Sequence, residues 1–307
     1  MGLQPLQGGT ASGVRNLMTR FFTHAALGLL WLVHWLPLPL IRRIGALFGV
    51  LMFHGAKHRR HIAETNLRLC FPQLDASART ALLRRNFRVF AQAILDRSLL
   101  WWAGEERLRR LISLRGAEHL DDGSGRPVIL LTPHFVGMDA CGLRISMDRQ
   151  TAVIYSNQTN PVINAVMRKG RARFHDTVLM SRQDGLRKAI KALRDGLPFF
   201  YAADLDFGAS DALFVPFFGV PAATVVGLPR LVSLTKARVV PLVSHLTPDG
   251  YVAELLPAWT DFPSGDVEAD LRRLNAFVEQ EVQKMPEQYF WPHRRFKTRP
   301  PGEKRPY

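Results

Sequence analysis

Hydrophobic and polar positions divide this chain into three stretches of different rhythm. Residues 21–41 run from Phe21 to Ile41 without a formal charge, bounded by Arg20 and by Arg42-Arg43. A second apolar run, Ile44 to Phe53, leads into Lys57, His58, Arg59, Arg60 and His61. About 20 apolar residues suffice to cross the hydrocarbon core of a bilayer. Two histidines, Pro37 and Pro39 weaken a spanning helix, however, and Trp31 and Trp35 favour the membrane interface. The first run is too long for the apolar region of a signal peptide, and no small-residue cleavage site follows it. The region reads as a membrane anchor, spanning or lying in one leaflet; the alternative is a helical hairpin buried in a soluble domain. Basic residues on both sides leave its orientation open.

Residues 63–110 have a helical rhythm, with Leu82, Leu83, Phe87, Phe90 and Ile94 at helix-like intervals, and Asp75 is placed to open a helix. Packing is the reading of Trp101-Trp102. From about Leu111 the pattern alternates. Strands are predicted at Val128–Thr132, Thr151–Tyr155, Pro198–Ala203, Val239–His245 and Tyr251–Leu256. Helices are predicted near Met138–Met147, Val162–Arg173, Asp184–Asp195, Val225–Thr235 and Val267–Lys284. Such alternation predicts an α/β fold, a central mixed sheet covered by helices, with an N-terminal membrane-anchoring helical region. The predicted organisation is a tail (1–20), an anchor region (21–60) and one catalytic domain (61–307) with a helical lead-in to about residue 110.

Composition narrows the class of partner. A 307-residue chain that is 47% hydrophobic is not disordered. Its formal charge of +15, mostly arginine, favours polyanions: nucleic acid, anionic lipid or phosphorylated substrates. Cys70 and Cys141 lie far apart with no CxxC, so neither a zinc site nor a disulfide framework is expected.

Candidate chemistry begins where the strand 128–132 ends in Pro133-His134, with Asp139 five residues later. By chance, ten histidines and 26 acids would give roughly one such spacing, so its position after a strand is what carries meaning. With His134 on the loop and Asp139 in the first helical turn, the carboxylate can reach back to the imidazole. That would be a general base held by an acid, which fixes the tautomer and stabilises the imidazolium. There is no GxSxG elbow, no phosphate loop, no HExxH helix and no dinucleotide fingerprint, which removes most of the case for covalent serine catalysis or nucleotide hydrolysis.

Asp204 and Asp206 follow another predicted strand and belong near the same edge, one ordering an arginine and the other the loop. A metal site is conceivable there, but two carboxylates without further ligands are weak evidence for one, and none is expected. Thr224 is placed to cap the next helix. Near the C-terminus His293, Arg294, Arg295 and Lys297 cluster beside Tyr289, Phe290 and Trp291. Such a cluster suits nucleic acid, a lipid headgroup platform, or an acidic carrier protein. Beside an anchor, the last two are favoured over nucleic acid.

Several blocks together resemble one family. They are Arg60-His-Ile-Ala-Glu-Thr-Asn66 through Pro72, the His134-x4-Asp139 motif, Tyr201 to Asp206 with Phe214 to Gly219, and the tail Pro286 to Pro300. The chain from about residue 20 onward is similar to the Kdo-dependent lipid A late acyltransferases, within the glycerolipid-acyltransferase-like group. Many members carry histidine where Leu205 stands. The resemblance implies that 61–307 is an acyltransferase domain. It would move a fatty acyl chain from acyl carrier protein to a hydroxyl of a lipid A precursor, at the cytoplasmic face of a bacterial inner membrane. His134 would be the base and Asp139 its holder, with no acyl-enzyme, cofactor or metal. Arg171 and Arg173 occupy the family's basic segment and would serve the oxyanion or grip phosphate. An acyltransferase acting on a lysophospholipid, or a basic membrane-bound binding protein without chemistry, are the alternatives.

Overall fold

The computed structural model describes residues 9–181 and 185–307. Five helices come first: α1 (Gly9–Val33), α2 (Leu38–Gly55), α3 (Lys57–Cys70), α4 (Ala76–Trp102) and α5 (Glu105–Leu111). The expected tail is thus helical from Gly9 onward, and residues 1–8 lie outside the described residues. Asp75 caps α4 as its sequence suggested, its side chain accepting from the Ala78 amide at 2.7 Å.

Glycine lets α2 and α4 pack backbone to backbone. Gly45 and Gly49, one turn apart, face α4 so closely that a Cβ at Gly49 would lie 2.5 Å from the Arg88 Cα. Arg42 then ties α2 to the rest of the domain, reaching the Gly250 carbonyl at 3.0 Å and Asp96 at 3.4 Å. Asp96 also accepts from the Tyr251 hydroxyl at 2.6 Å. The inner face of α2 is therefore built into the fold. Its outer face is not: Leu47 and Leu51 are 65% and 63% exposed.

The α/β part alternates β1 (Ile112–Arg115), β2 (Val128–Leu131), α6 (Met138–Ser146), β3 (Ala152–Tyr155), α7 (Pro161–Arg171), β4 (Val178–Ser181), α8 (Gly185–Arg194) and β5 (Phe199–Tyr201). The predicted start of α8 at Asp184 lies outside the described residues. Then follow β6 (Ala212–Phe217), β7 (Val220–Val225), α9 (Gly227–Thr235), β8 (Arg238–Thr247), β9 (Gly250–Leu255) and α10 (Val267–Lys284). Seven strands form one sheet in the order β1-β9-β8-β2-β5-β3-β4. All its neighbours run parallel except β8 and β9, a hairpin. A parallel strand is covered on both faces. Hence β2 reads as an unbroken apolar run, and all four of its residues are buried.

Alternation along the strands sorts the two faces. Ile129, Leu131 and Phe199 point into the large core shared with α8, α9 and α10. Leu130 and Phe200, their neighbours, point the other way, toward Cys141 and Ile145 of α6. The structure corrects the sequence reading at three places. Edge strands β1 and β4 were not foreseen, being four residues long and only partly buried. The segment carrying Thr224 is a strand paired with β6, so Thr224 caps no helix; its hydroxyl accepts from Asn275 at 3.2 Å. Phe218 and Gly219 make the turn, both with positive φ, as a two-residue hairpin requires. A phenylalanine there hid the turn.

Candidate active site

Strand register brings the site together. β2 and β5 are parallel neighbours with Leu131 opposite Tyr201. Three residues past each lie His134 and Asp204, so equal lengths of loop carry both over the carboxyl edge of the sheet, where open α/β sheets hold their ligands. His134 Nδ1 is 2.7 Å from Asp204 Oδ1, and the His134 amide donates to Oδ2 at 2.9 Å. The carboxylate grips both ring and backbone, which leaves Nε2 for a substrate. Burial works against ionising Asp204, yet the His134 charge and these hydrogen bonds hold its carboxyl below the usual range.

The carboxylate at His134 is thus Asp204, and Asp139 is hydrogen-bonded elsewhere. It stands in the first turn of α6 and accepts from Arg97 of α4 at 3.1 Å and from Arg171 of α7 at 3.1 and 2.7 Å. Burial opposes its charge, but Arg171 and then Arg97 hold the carboxyl well below the ordinary carboxylate range. Two arginines against one aspartate leave the trio with a net positive charge. His134, Asp139 and Arg171 all line one pocket of about 120 Å³. Its walls include Trp101, Val153 and Phe200. Gly170 belongs to the same wall because Trp101 lies against it: a Cβ there would meet the indole at 2.3 Å.

Arg173 is placed elsewhere. Its guanidinium donates to the Leu100 and Ala103 carbonyls at 2.8 and 2.7 Å, which satisfies the end of α4. Burial lowers its pKa, consistent with a cation in a largely structural place.

The tail serves the site by holding it. The Phe290 amide donates to the His134 carbonyl at 3.1 Å, and the Val136 amide to the Gln288 carbonyl at 2.9 Å. The Phe290 ring lies 6.4 Å from the His134 ring and stacks on Phe90. Asn86 and Asn66 anchor this strap from the helices: Asn86 donates to Tyr289 at 2.9 Å, and Asn66 to Trp291 at 2.7 Å. Asp206 accepts from the Thr298 amide at 2.8 Å and gives its own amide to His293 Nε2 at 3.1 Å. Of the four tail residues read as headgroup or carrier contacts, Arg294 and Lys297 are exposed. Arg295 is buried instead, donating to the Ala223 carbonyl at 2.9 Å. His293 sits against the site, part-buried. Arg97 and Asn86 were not singled out from sequence, and Asn66 was named only within a resembling block; a polar residue inside an otherwise apolar helical stripe was the available signal.

Burial, reinforced by the charge of His134, pushes the His293 pKa down to about 4. An unfolded histidine titrates near 6.5. Between these values the unfolded chain binds the extra proton, so stability falls as pH falls through that window. A difference of about 2.5 units corresponds to on the order of 3 kcal/mol. Denaturant unfolding from pH 7 to 4 should show this loss, and His293→Gln should flatten it. An unchanged pH slope in the variant would contradict the assignment.

A sequence model of the bacterial lipid A biosynthesis acyltransferases matches residues 13–298. The chain is 34% identical to a lipid A biosynthesis lauroyltransferase of Escherichia coli (strain K12), over 92% of this chain and 93% of that one. It is 31% identical to a palmitoleoyltransferase of the same organism, over the same shares. A myristoyltransferase, again of that strain, is 33% identical over 88% of this chain and 83% of its own. With a match across nearly its whole length, and with a part-buried histidine–carboxylate pair whose histidine lines the pocket, the chain belongs to the bacterial lipid A biosynthesis acyltransferase family.

Proposed function

We propose that this enzyme transfers a fatty acyl chain from acyl carrier protein to a hydroxyl of a lipid A precursor, with His134 as general base. The observation that carries this reading is the His134–Asp204 pair, whose histidine lines the pocket. Asp204 fixes the tautomer with hydrogen on Nδ1, so Nε2 accepts the proton of the acceptor hydroxyl. The alkoxide oxygen attacks the thioester carbonyl, whose π electrons move onto its oxygen. On collapse the C–S bond breaks, and the thiolate recovers the proton from Nε2. An ester and a free carrier thiol result, with no acyl-enzyme. The positive trio of Arg97, Asp139 and Arg171 would stabilise the developing negative charge, and Arg171, the arginine of the trio that lines the pocket, is the one offered to the oxyanion.

The acyl chain lies along the face of the sheet made by Val153 and Phe200, under α6. From Thr151, at the far end, β3 rises ~13 Å to Tyr155, comparable with an extended medium-length acyl tail. The lauroyl group in the name of one relative is of about that length.

Such substrates imply a membrane. Phe21, Phe22, Leu29 and Trp35 of the N-terminal region, with Leu47 and Leu51 of α2, turn large apolar side chains outward. Among the described residues one helix, Leu38–Gly55, is long and apolar enough to cross a bilayer. It lies instead in the cytoplasmic leaflet of the inner membrane, because α4, packed along its inner face, exposes Arg84, Arg85 and Arg88. Replacing Leu47 and Leu51 together with glutamate should shift much of the protein from the membrane fraction to the supernatant, with its melting temperature unchanged. Full retention on membranes would contradict this placement.

Mass spectrometry of lipid A from cells lacking the protein tests the acceptor. Loss of one acyl chain is expected. Unchanged lipid A with altered phospholipids would overturn the reading in favour of a lysophospholipid acceptor.

A further inference from the structure

We propose that the Thr132 hydroxyl is a further catalytic group, donating a hydrogen bond to the oxyanion of the tetrahedral intermediate. The inference rests on the acyl-transfer reading above.

Thr132 lies at the end of β2, two residues before His134, and is 3% exposed. Its amide is spent on the Tyr201 carbonyl at 3.0 Å. Its hydroxyl oxygen is buried and has no hydrogen-bond partner among the described residues. Buried hydroxyls are almost always partnered, so an unpartnered one calls for a reason. Period-two alternation puts Thr132 on the same face of β2 as Leu130, the face toward Phe200 and α6, and Thr132 lines the pocket with His134 and Arg171.

The protein offers the hydroxyl little to bind there. Asp139 is taken up by Arg97 and Arg171, and Asp204 by the ring and amide of His134. An acceptor must come from the substrate. A carbonyl oxygen that becomes an oxyanion is such an acceptor, and it forms within reach of the base that drives its formation. Pro133, with its fixed φ, holds Thr132 and His134 in a constant relation. Arg171 already directs two nitrogens at Asp139, so it supplies charge while Thr132 supplies a directed donor. The hydroxyl keeps its proton throughout. It is satisfied only as the intermediate forms, the differential binding that raises kcat.

Thr132→Val removes the hydroxyl and keeps the branched shape. Assayed as the full-length protein in detergent, with an acyl carrier protein thioester and a lipid A precursor, it should lose about 10²-fold in kcat with KM little changed. Its melting temperature should be at or above that of the unchanged protein, because a buried unpaired hydroxyl has been removed. Thr132→Ser should restore most of the lost turnover, and a phosphonate mimic of the intermediate should bind Thr132→Val more weakly in proportion to kcat. Undiminished kcat in Thr132→Val, alongside an inactive His134→Ala, would overturn the proposal while leaving the base intact. Equal losses in the valine and serine variants with a lowered melting temperature would also overturn it, assigning Thr132 to packing. Activity surviving in His134→Ala would instead refute the reading on which the proposal rests.

Discussion

Replacing His134 with alanine is expected to lower acyl transfer by about 10²–10⁴-fold, the usual worth of a positioned general base. The fall should be in kcat, since the apolar wall formed by Trp101, Val153 and Phe200 still binds the chain. The variant should remain folded. The His134 side chain is 19% exposed, and among the described residues its one hydrogen bond is to Asp204. The loop around it is held through backbone by Phe290 and Gln288, and a side-chain truncation leaves those bonds in place. Steady-state turnover of purified His134→Ala, with circular dichroism to confirm folding, is the check. Turnover near that of the unchanged enzyme would remove His134 from the chemistry.

Asp204→Asn is expected to cost about as much, up to about 10⁴-fold, by analogy with the same change in a serine-protease triad. The amide keeps the size of the carboxyl but not its charge. It no longer stabilises the imidazolium, and if its oxygen keeps the His134 amide, its NH2 group faces Nδ1 and turns the ring to the wrong tautomer. Asp139→Asn should act differently. It leaves Arg97 and Arg171 facing one another, so its cost falls on the position of Arg171 and on stability, both of which thermal melting and salt dependence report. Comparing the pH–rate profiles of the two variants separates them: the limb that reports the base should move in Asp204→Asn and stay in Asp139→Asn. The opposite result would return Asp139 to the role its spacing suggests.

That contrast marks where the sequence stopped being legible. The apolar runs of β2, β5 and β8 announced strands of a sheet covered by helices, and His134 after the first of them pointed to the edge proposed here for the site. The partner of His134 could not be read the same way. H-x4-D is a local pattern, while the observed pair depends on Leu131 lying opposite Tyr201, a register set by the folded sheet. Asp204 stood in plain view as part of an acidic pair, but nothing local said that it would face His134 rather than an arginine. The tail misled for a related reason. Arg295 among exposed cations reads as surface charge, yet the fold buries it against Ala223, Thr224 and the ring of Phe217. Conversely, Asn86 drew no reading from sequence and Asn66 one only as part of a resembling block, yet both hold the strap that fixes the His134 loop.

The most direct test of the central claim, direct transfer to a lipid A precursor by His134 and Asp204, is a rapid-quench experiment. Enzyme is mixed with acyl carrier protein thioester and lipid A precursor, and both intact protein and lipid are weighed by mass spectrometry over a single turnover. The account predicts that the lipid gains one acyl mass as the carrier loses it. The enzyme should stay at its unmodified mass throughout, and neither change should occur on that timescale in His134→Ala. An acylated enzyme that appears before the acylated lipid and decays as the lipid forms would contradict it.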